Sequence, residues 1–248
     1  EGGWGDLNLL DIMPPDCPSR EAWENYVRKK YNTLTSVNNA WNSNIPDWDS
    51  LRNMKPLPES KSGIYLTDIV AFETLYAEEY FSTIKQTLQT YDPNHLYLGC
   101  RFTKRLKPEH ILRTAGRYCD VITVNVYDLV PVNERMDKWH EYTGRPILIG
   151  EHHLPLLSHR QLPPHYPAFT HEERFKYYQE YVKSWANQPY SLGCHWYQLA
   201  DQHLTGRYSN GENQTIGLVD ITDQPYPELI KAVQISSMNM YNWHLDGE

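Results

Sequence analysis

Glu151 closes the apolar run Ile147-Leu-Ile-Gly-Glu-His-His153, and a later run leads into Gly193-Cys-His-Trp-Tyr-Gln-Leu-Ala-Asp-Gln-His-Leu-Thr-Gly-Arg207. The first places an acid at the carboxyl end of a buried strand. The second places an aromatic beside polar hydrogen-bonding groups at the end of the next. Cleavage of a glycoside needs that combination: a carboxylate at a strand tip as nucleophile, with a second, protonated carboxyl about 5–5.5 Å away. A salt-bridged rim carboxylate would satisfy the same spacing. Asn125 and Tyr127 end the preceding strand, where an amide and a phenol can donate to a neighbouring carboxylate. Trp196 has an apolar face suited to a pyranose ring, and equally to a core. Arg101, Asp201, Gln202, Arg207, Glu212 and Asn213 follow strand ends, where they can bind hydroxyls or stand as solvated loop residues.

His152, His153, His195, Asp201 and His203 raise a metal-dependent alternative. They lack the H-E-x-x-H spacing that points two imidazoles to one side of a helix, and adjacent histidines in extended backbone point apart. No metal and no cofactor is expected, and sugar hydroxyls or the carboxylate are the more natural partners of these rings. Cys17, Cys100, Cys119 and Cys194 show no C-x-x-C spacing, and Cys100, Cys119 and Cys194, in or beside apolar runs, read as buried free thiols.

The elements that must hold these groups alternate. Apolar or β-branched runs at 96–100, 121–126, 146–150 and 192–198 are separated by helical patterns at 108–118, 132–142 and about 170–187. A last helix is expected over 227–238. Thr170-His-Glu-Glu173 is a capping-box signature, and Pro108 suits a helix start. Such alternation predicts parallel strands joined by crossovers. Upstream, Ser19 is the expected cap of a helix with Glu21 and Glu24 early and Arg28, Lys29 and Lys30 late. Residues 31–60 read as a connection rich in Pro, Asn and Trp. A long helix over 65–91 would bury Ile69, Phe72, Tyr76, Tyr80, Ile84 and Leu88.

The chain of 248 residues carries 23 basic and 31 acidic side chains, a net −8 that argues against nucleic acid or an anionic membrane surface as partner. No apolar run approaches the roughly 20 residues of a membrane helix. Four strong strands are half the number in an eight-stranded α/β barrel. The expected fold is therefore α/β, the carboxyl-terminal half of a (β/α)8 TIM barrel. A partial-barrel catalytic domain would occupy 1–240 and a tail 241–248. A small open α/β sheet is the alternative, without a Gly-rich phosphate loop in its favour.

Beyond these generic features the chain resembles the β-agarases of glycoside hydrolase family fifty, in the retaining clan A. The resemblance is carried by Asp92-Pro-Asn-His-Leu-Tyr-Leu-Gly-Cys-Arg-Phe102, Cys119-Asp-Val-Ile-Thr-Val-Asn-Val-Tyr127, Ile149-Gly-Glu-His-His153, His195-Trp-Tyr-Gln-Leu-Ala-Asp-Gln202, Thr205-Gly-Arg207, Gly211-Glu-Asn213 and Ile216-Gly-Leu-Val-Asp220. Leu34 to Leu51, with Asn39-Ala-Trp41 and Trp48-Asp49, is also similar to these agarases and to related β-galactosidases. The resemblance implies that Glu151, ending barrel strand seven, is the nucleophile. It implies that Glu1, opening Glu1-Gly-Gly-Trp-Gly5 at the end of strand four, is the acid/base. The visible strands would then be five to eight. Tyr127 and Asn125 would support the nucleophile, and Trp196, His195, Arg101, His153, Asp201, Gln202, Arg207 and Glu212 would bind a galactan. His152, Pro155 and His203 depart from the residues usual in that family, near the implied sugar subsites. A non-catalytic carbohydrate-binding relative, or a β-galactosidase-like enzyme of other specificity, is the competing reading. The substrate class implies an extracellular or periplasmic setting.

Overall fold

The computed structural model describes residues 9–57, 63–103, 108–131, 134–157 and 166–246. Two compact units emerge: one formed by Leu98–Leu106 with Asp120–Glu248, the other by Gly2–Tyr97 with Lys107–Cys119.

The second unit is helical. It holds α1 (Leu9–Ile12), α2 (Pro18–Tyr31), α3 (Leu34–Trp41), α4 (Trp48–Arg52), α5 (Gly63–Tyr91) and α6 (Glu109–Tyr118). Helix α2 starts two residues earlier than expected: Cys17 is the N-cap and Pro18 follows, because a φ fixed near the helical value initiates a first turn without a side-chain cap. The connection expected over 31–60 contains α3 and α4, each begun by a side-chain cap. Thr33 accepts from the Ser36 N–H and Asp47 from the Ser50 N–H. Trp23, Val27, Val37, Trp41, Leu51, Tyr65, Ile69 and Phe72 form this unit's core. The stripe expected on α5 holds only in its first half: Ile69 and Phe72 are buried, whereas Ala77 and Phe81, not Tyr80, continue the buried face.

The first unit carries the sheet. Strands β1 (Arg101–Thr103), β2 (Ile122–Asn125), β3 (Ile147–His152) and β4 (Ser191–Trp196) pair in sequential order, all parallel. The run expected as a strand at 96–100 lies just before β1, which begins only where Arg101 finds Thr123 as its register partner. Helices α7 (Glu134–Thr143) and α8 (His171–Ala186) connect the later strands, and α9 (Pro227–Asp246) closes the unit. Thr170 caps α8 by accepting from the Glu173 N–H, while the Glu173 carboxylate reaches back to the Phe169 N–H. Helix α9 runs eight residues beyond its expected end at Met238. Leu154, Tyr178, Val182, Leu229 and Ala232 pack between α8, α9 and the outer side of the sheet, with Cys194 and Trp196 against them. Among the described residues no helix is long and apolar enough to cross a membrane.

Candidate active site

Ile147 and Ile149 are fully buried in β3, and at its carboxyl end Glu151 is partly exposed while His152 is buried. There the ladder is irregular on both sides, between Val124 and Asn125 in β2 and between Ile149 and His152 against β4. Such irregularities re-aim side chains. They leave Glu151 opposite Asn125 and turn His152 toward α8.

Among the described residues three donors converge on Glu151. Asn125 Nδ2 donates to Oε2 at 2.9 Å, and the Tyr127 hydroxyl donates to the same oxygen. Arg101 Nη1 donates to Oε1 and forms an ion pair with it. The Glu151 side chain is 13% exposed and that of Arg101 is 39% exposed, so the carboxylate is sheltered while its counter-ion borders water. Burial first, then the hydrogen bond and charge of Glu151, hold the Tyr127 phenol far above its ordinary range, and it stays a donor at any working pH. Asn125 is itself buried. A carboxylate held through one oxygen by two fixed neutral donors is oriented without being neutralised. Its other oxygen carries the Arg101 guanidinium.

An aromatic wall adjoins this group. The His153 ring lies 4.6 Å from that of Tyr127 and 6.1 Å from that of Tyr197. The Tyr197 hydroxyl accepts from Arg207 Nη1 at 3.2 Å, and the same nitrogen donates to Glu212 Oε2 at 3.1 Å. Gln202 Nε2 donates to Glu212 Oε2 at 3.0 Å, and Gln202 Oε1 accepts from the Gln214 N–H at 2.7 Å.

The structure thus brings Glu151, Arg101, Asn125, Tyr127 and His153 together and distributes the other expected residues differently. Asp201 is buried. Its oxygens accept from the Gly217 N–H at 2.7 Å and the Tyr226 hydroxyl at 2.8 Å, so it braces the loop after β4. Gln202, Arg207 and Glu212 brace the same loop from the side of Tyr197. The His195 side chain is exposed, and its carbonyl accepts from His152 Nδ1 at 2.9 Å.

Trp196, expected as a stacking platform, lies on the helix-bearing side of β4. Its ring meets His152 edge-on at 5.3 Å and Tyr178 at 5.5 Å, and its Nε1 donates to the Ile216 carbonyl at 3.0 Å. Strand alternation explains the difference: Cys194 shares the face of Trp196 in the α8–α9 cluster, so Tyr197 turns the other way. Tyr197 is the aromatic the sequence reading passed over, although that alternation marks it. Arg174 was also missed. Fully buried, it donates to the carbonyls of Leu154 at 2.8 Å and Gly217 at 3.1 Å, and burial lowers it to about 10.

Glu1 lies outside the described residues. Among the described residues no group of three His, Cys, Asp or Glu side chains is placed to hold a metal ion. A cavity of about 340 Å3 lined by Trp185, Cys194, Ser236 and His244 sits on the helix-bearing side of β4 and is separate from the Glu151 cluster.

No family model matches the chain. It is 30% identical over 241 residues to β-agarase B of Vibrio sp. (strain JT0107), a match covering 95% of this chain and 25% of that protein. It superposes on an exo-β-agarase with a TM-score of 0.84 and 30% identity, over 95% of this chain and 32% of the other. A second solved agarase gives a TM-score of 0.81 at 28% identity, over 96% and 34%. The chain therefore spans about a quarter or less of the length of the curated relatives it matches.

Proposed function

We propose that this chain, homologous to the β-agarases of glycoside hydrolase family fifty along 95% of its length, supplies the nucleophile side of a retaining glycosidase site. The substrate would be a β-galactosidic linkage of agarose or a related galactan. The four sequential parallel strands would be strands five to eight of an eight-stranded barrel, within the partial-barrel domain expected over residues 1–240. In that register Glu151 stands at the carboxyl end of strand seven, the end at which barrel enzymes carry their chemistry.

The observation that carries this reading is the unequal treatment of the two Glu151 oxygens. Asn125 and Tyr127 fix Oε2, which leaves Oε1 as the attacking atom. Its lone pair bonds to the anomeric carbon as the glycosidic C–O bond breaks, and the leaving oxygen takes a proton from the acid, the role assigned by resemblance to Glu1. Water, deprotonated by the same group, then displaces Glu151 and restores the original anomeric configuration. His153 and Tyr197 would form the wall against which the galactosyl ring rests. Held by Arg207, the Tyr197 hydroxyl presents a fixed polar edge to it.

The test is Glu151→Gln in the full chain, with hydrolysis of neoagaro-oligosaccharides read by reducing ends. The substitution should abolish turnover while leaving thermal unfolding close to wild type; full activity would refute the assignment. Sugar binding by calorimetry without any turnover in the wild type would instead establish the binding-only reading. The Arg101 guanidinium on Glu151 is the observation in that reading's favour.

A further inference from the structure

The donors around Glu151 are not equivalent. Asn125 is 4% exposed and Tyr127 is partly buried, and both donate to Oε2. Among the described residues Arg101 alone donates to Oε1, and its side chain has water on one side. Its stem reaches the carboxylate over Gly150. A Cβ at Gly150 would lie 3.1 Å from Arg101 Cδ and 2.6 Å from Thr123 Cγ2, so the absence of a side chain there opens the lane that the arginine occupies.

We propose that Arg101 is a displaceable latch on the attacking oxygen of Glu151, which an incoming galactoside must release before the covalent bond forms. The proposal rests on the functional reading given above and assigns Arg101 a positioning role in place of hydroxyl binding. In the covalent step a lone pair of Oε1 bonds to C1, and the departing group leaves with the electron pair of its bond to C1. The esterified Oε1 then has no negative charge to offer a guanidinium, whereas Oε2, now the ester carbonyl oxygen, still accepts from Asn125 and Tyr127. Arg101 therefore has to withdraw, and its half-exposed position lets it do so into water. The other titratable side chains around the carboxylate are Tyr127, which stays on Oε2, and His153 and Tyr197 in the adjoining wall. Among the described residues none of them offers Oε1 a second cation.

The experiment follows covalent labelling of Glu151 by 2-deoxy-2-fluoro-β-galactosyl fluoride in the full chain. Its leaving fluoride needs no acid catalyst, so the attack step is isolated. The readout is intact mass and the labelled peptide. R101M should label about three- to tenfold faster than wild type at low salt, the scale of releasing a half-exposed ion pair. R101K should stay near wild type, and R101Q repeats the test should a methionine disturb β1. Raising ionic strength from about 0.01 to 1 M should accelerate wild type toward R101M and leave R101M unchanged, because salt screens the latch alone. Slower labelling of R101M with weaker saturation would overturn the latch and make Arg101 a hydroxyl donor, with the functional reading intact. Equal, salt-independent rates would make it structural. No label on any of the proteins would overturn latch and functional reading together.

Discussion

At the scale of single residues, the most instructive contrast is between Glu151 and its neighbour His152. Adjacent in sequence, they are turned to opposite faces by the irregular ladder at the end of β3. Glu151 meets polar donors. His152 is buried, stacks on Tyr181 at 4.4 Å, and leaves its Nε2 without a hydrogen-bond partner. Burial pushes its imidazole down to about 3. The sign of the resulting pH dependence is fixed. A free imidazole titrates near pH 6.5. Between there and about pH 3, the unfolded chain binds a proton that the native fold refuses, so stability falls as pH drops through that window. At about pH 5 the contribution is about 2 kcal/mol. H152F, an aromatic of similar shape that does not titrate, should therefore lose less melting temperature than wild type between about pH 7 and about pH 5. Identical losses in the two proteins would show that His152 is not the acid-sensitive group. The strand-tip position of Glu151 was legible because a carboxylate closing an apolar strand is unusual. The inert character of His152 was not, since only the bulge decides which of the two enters the helix layer.

At the scale of elements, the parallel sheet and the helices between its strands were readable from hydrophobic runs and caps, with Thr170-His-Glu-Glu173 the clearest signal. What escaped was tertiary. β1 starts at Arg101 because pairing with β2 begins there, a fact no local propensity contains. The helices α3 and α4 are short, and their caps Thr33 and Asp47 sit in a stretch whose Pro and Asn content resembles a loop. The loop after β4 is rich in polar residues, and its residue types suit sugar binding as well as self-bracing. Gly217 shows the bracing. A Cβ there would lie 2.2 Å from the Val219 carbonyl oxygen and 2.4 Å from the Asp201 N–H nitrogen, so the loop is closed around an absent side chain. Asp201 accepts from the Gly217 N–H, Arg174 donates to its carbonyl, and Tyr226 completes the brace. G217A should destabilise the protein by about 2 kcal/mol or more, as overpacking against backbone does. Denaturant unfolding measures this, and an unchanged midpoint would show that the loop yields without cost.

At the scale of the whole molecule, the two units are stabilised differently. The sheet unit buries aliphatic strand residues beneath α8 and α9. The helical unit gathers polar groups around one carboxylate: Asp68, fully buried, accepts from the hydroxyls of Tyr26 at 3.1 Å and Tyr31 at 2.6 Å, from Trp41 Nε1 at 2.8 Å, and from Lys30. Burial, reinforced by this carboxylate, raises the Tyr26 phenol to about 12, and the hydrogen bond to Asp68 raises Lys30. An amide in its place accepts fewer bonds and leaves Lys30 without its counter-ion. D68N should therefore cost about 3 kcal/mol. In a denaturant titration followed by tryptophan fluorescence, that loss should appear in the transition reporting Trp23 and Trp41. A D68N midpoint equal to wild type would remove Asp68 from the centre of that unit. The central claim concerns the sheet unit, and it is tested most directly by Glu151→Ala with an activated aryl β-galactoside and azide. The nucleophile assignment predicts a variant inactive in water that azide rescues, with the α-galactosyl azide seen by proton NMR, while wild type first releases the β-anomer of the sugar. Undiminished hydrolysis by the variant, or a wild-type product first appearing as the α-anomer, would contradict it.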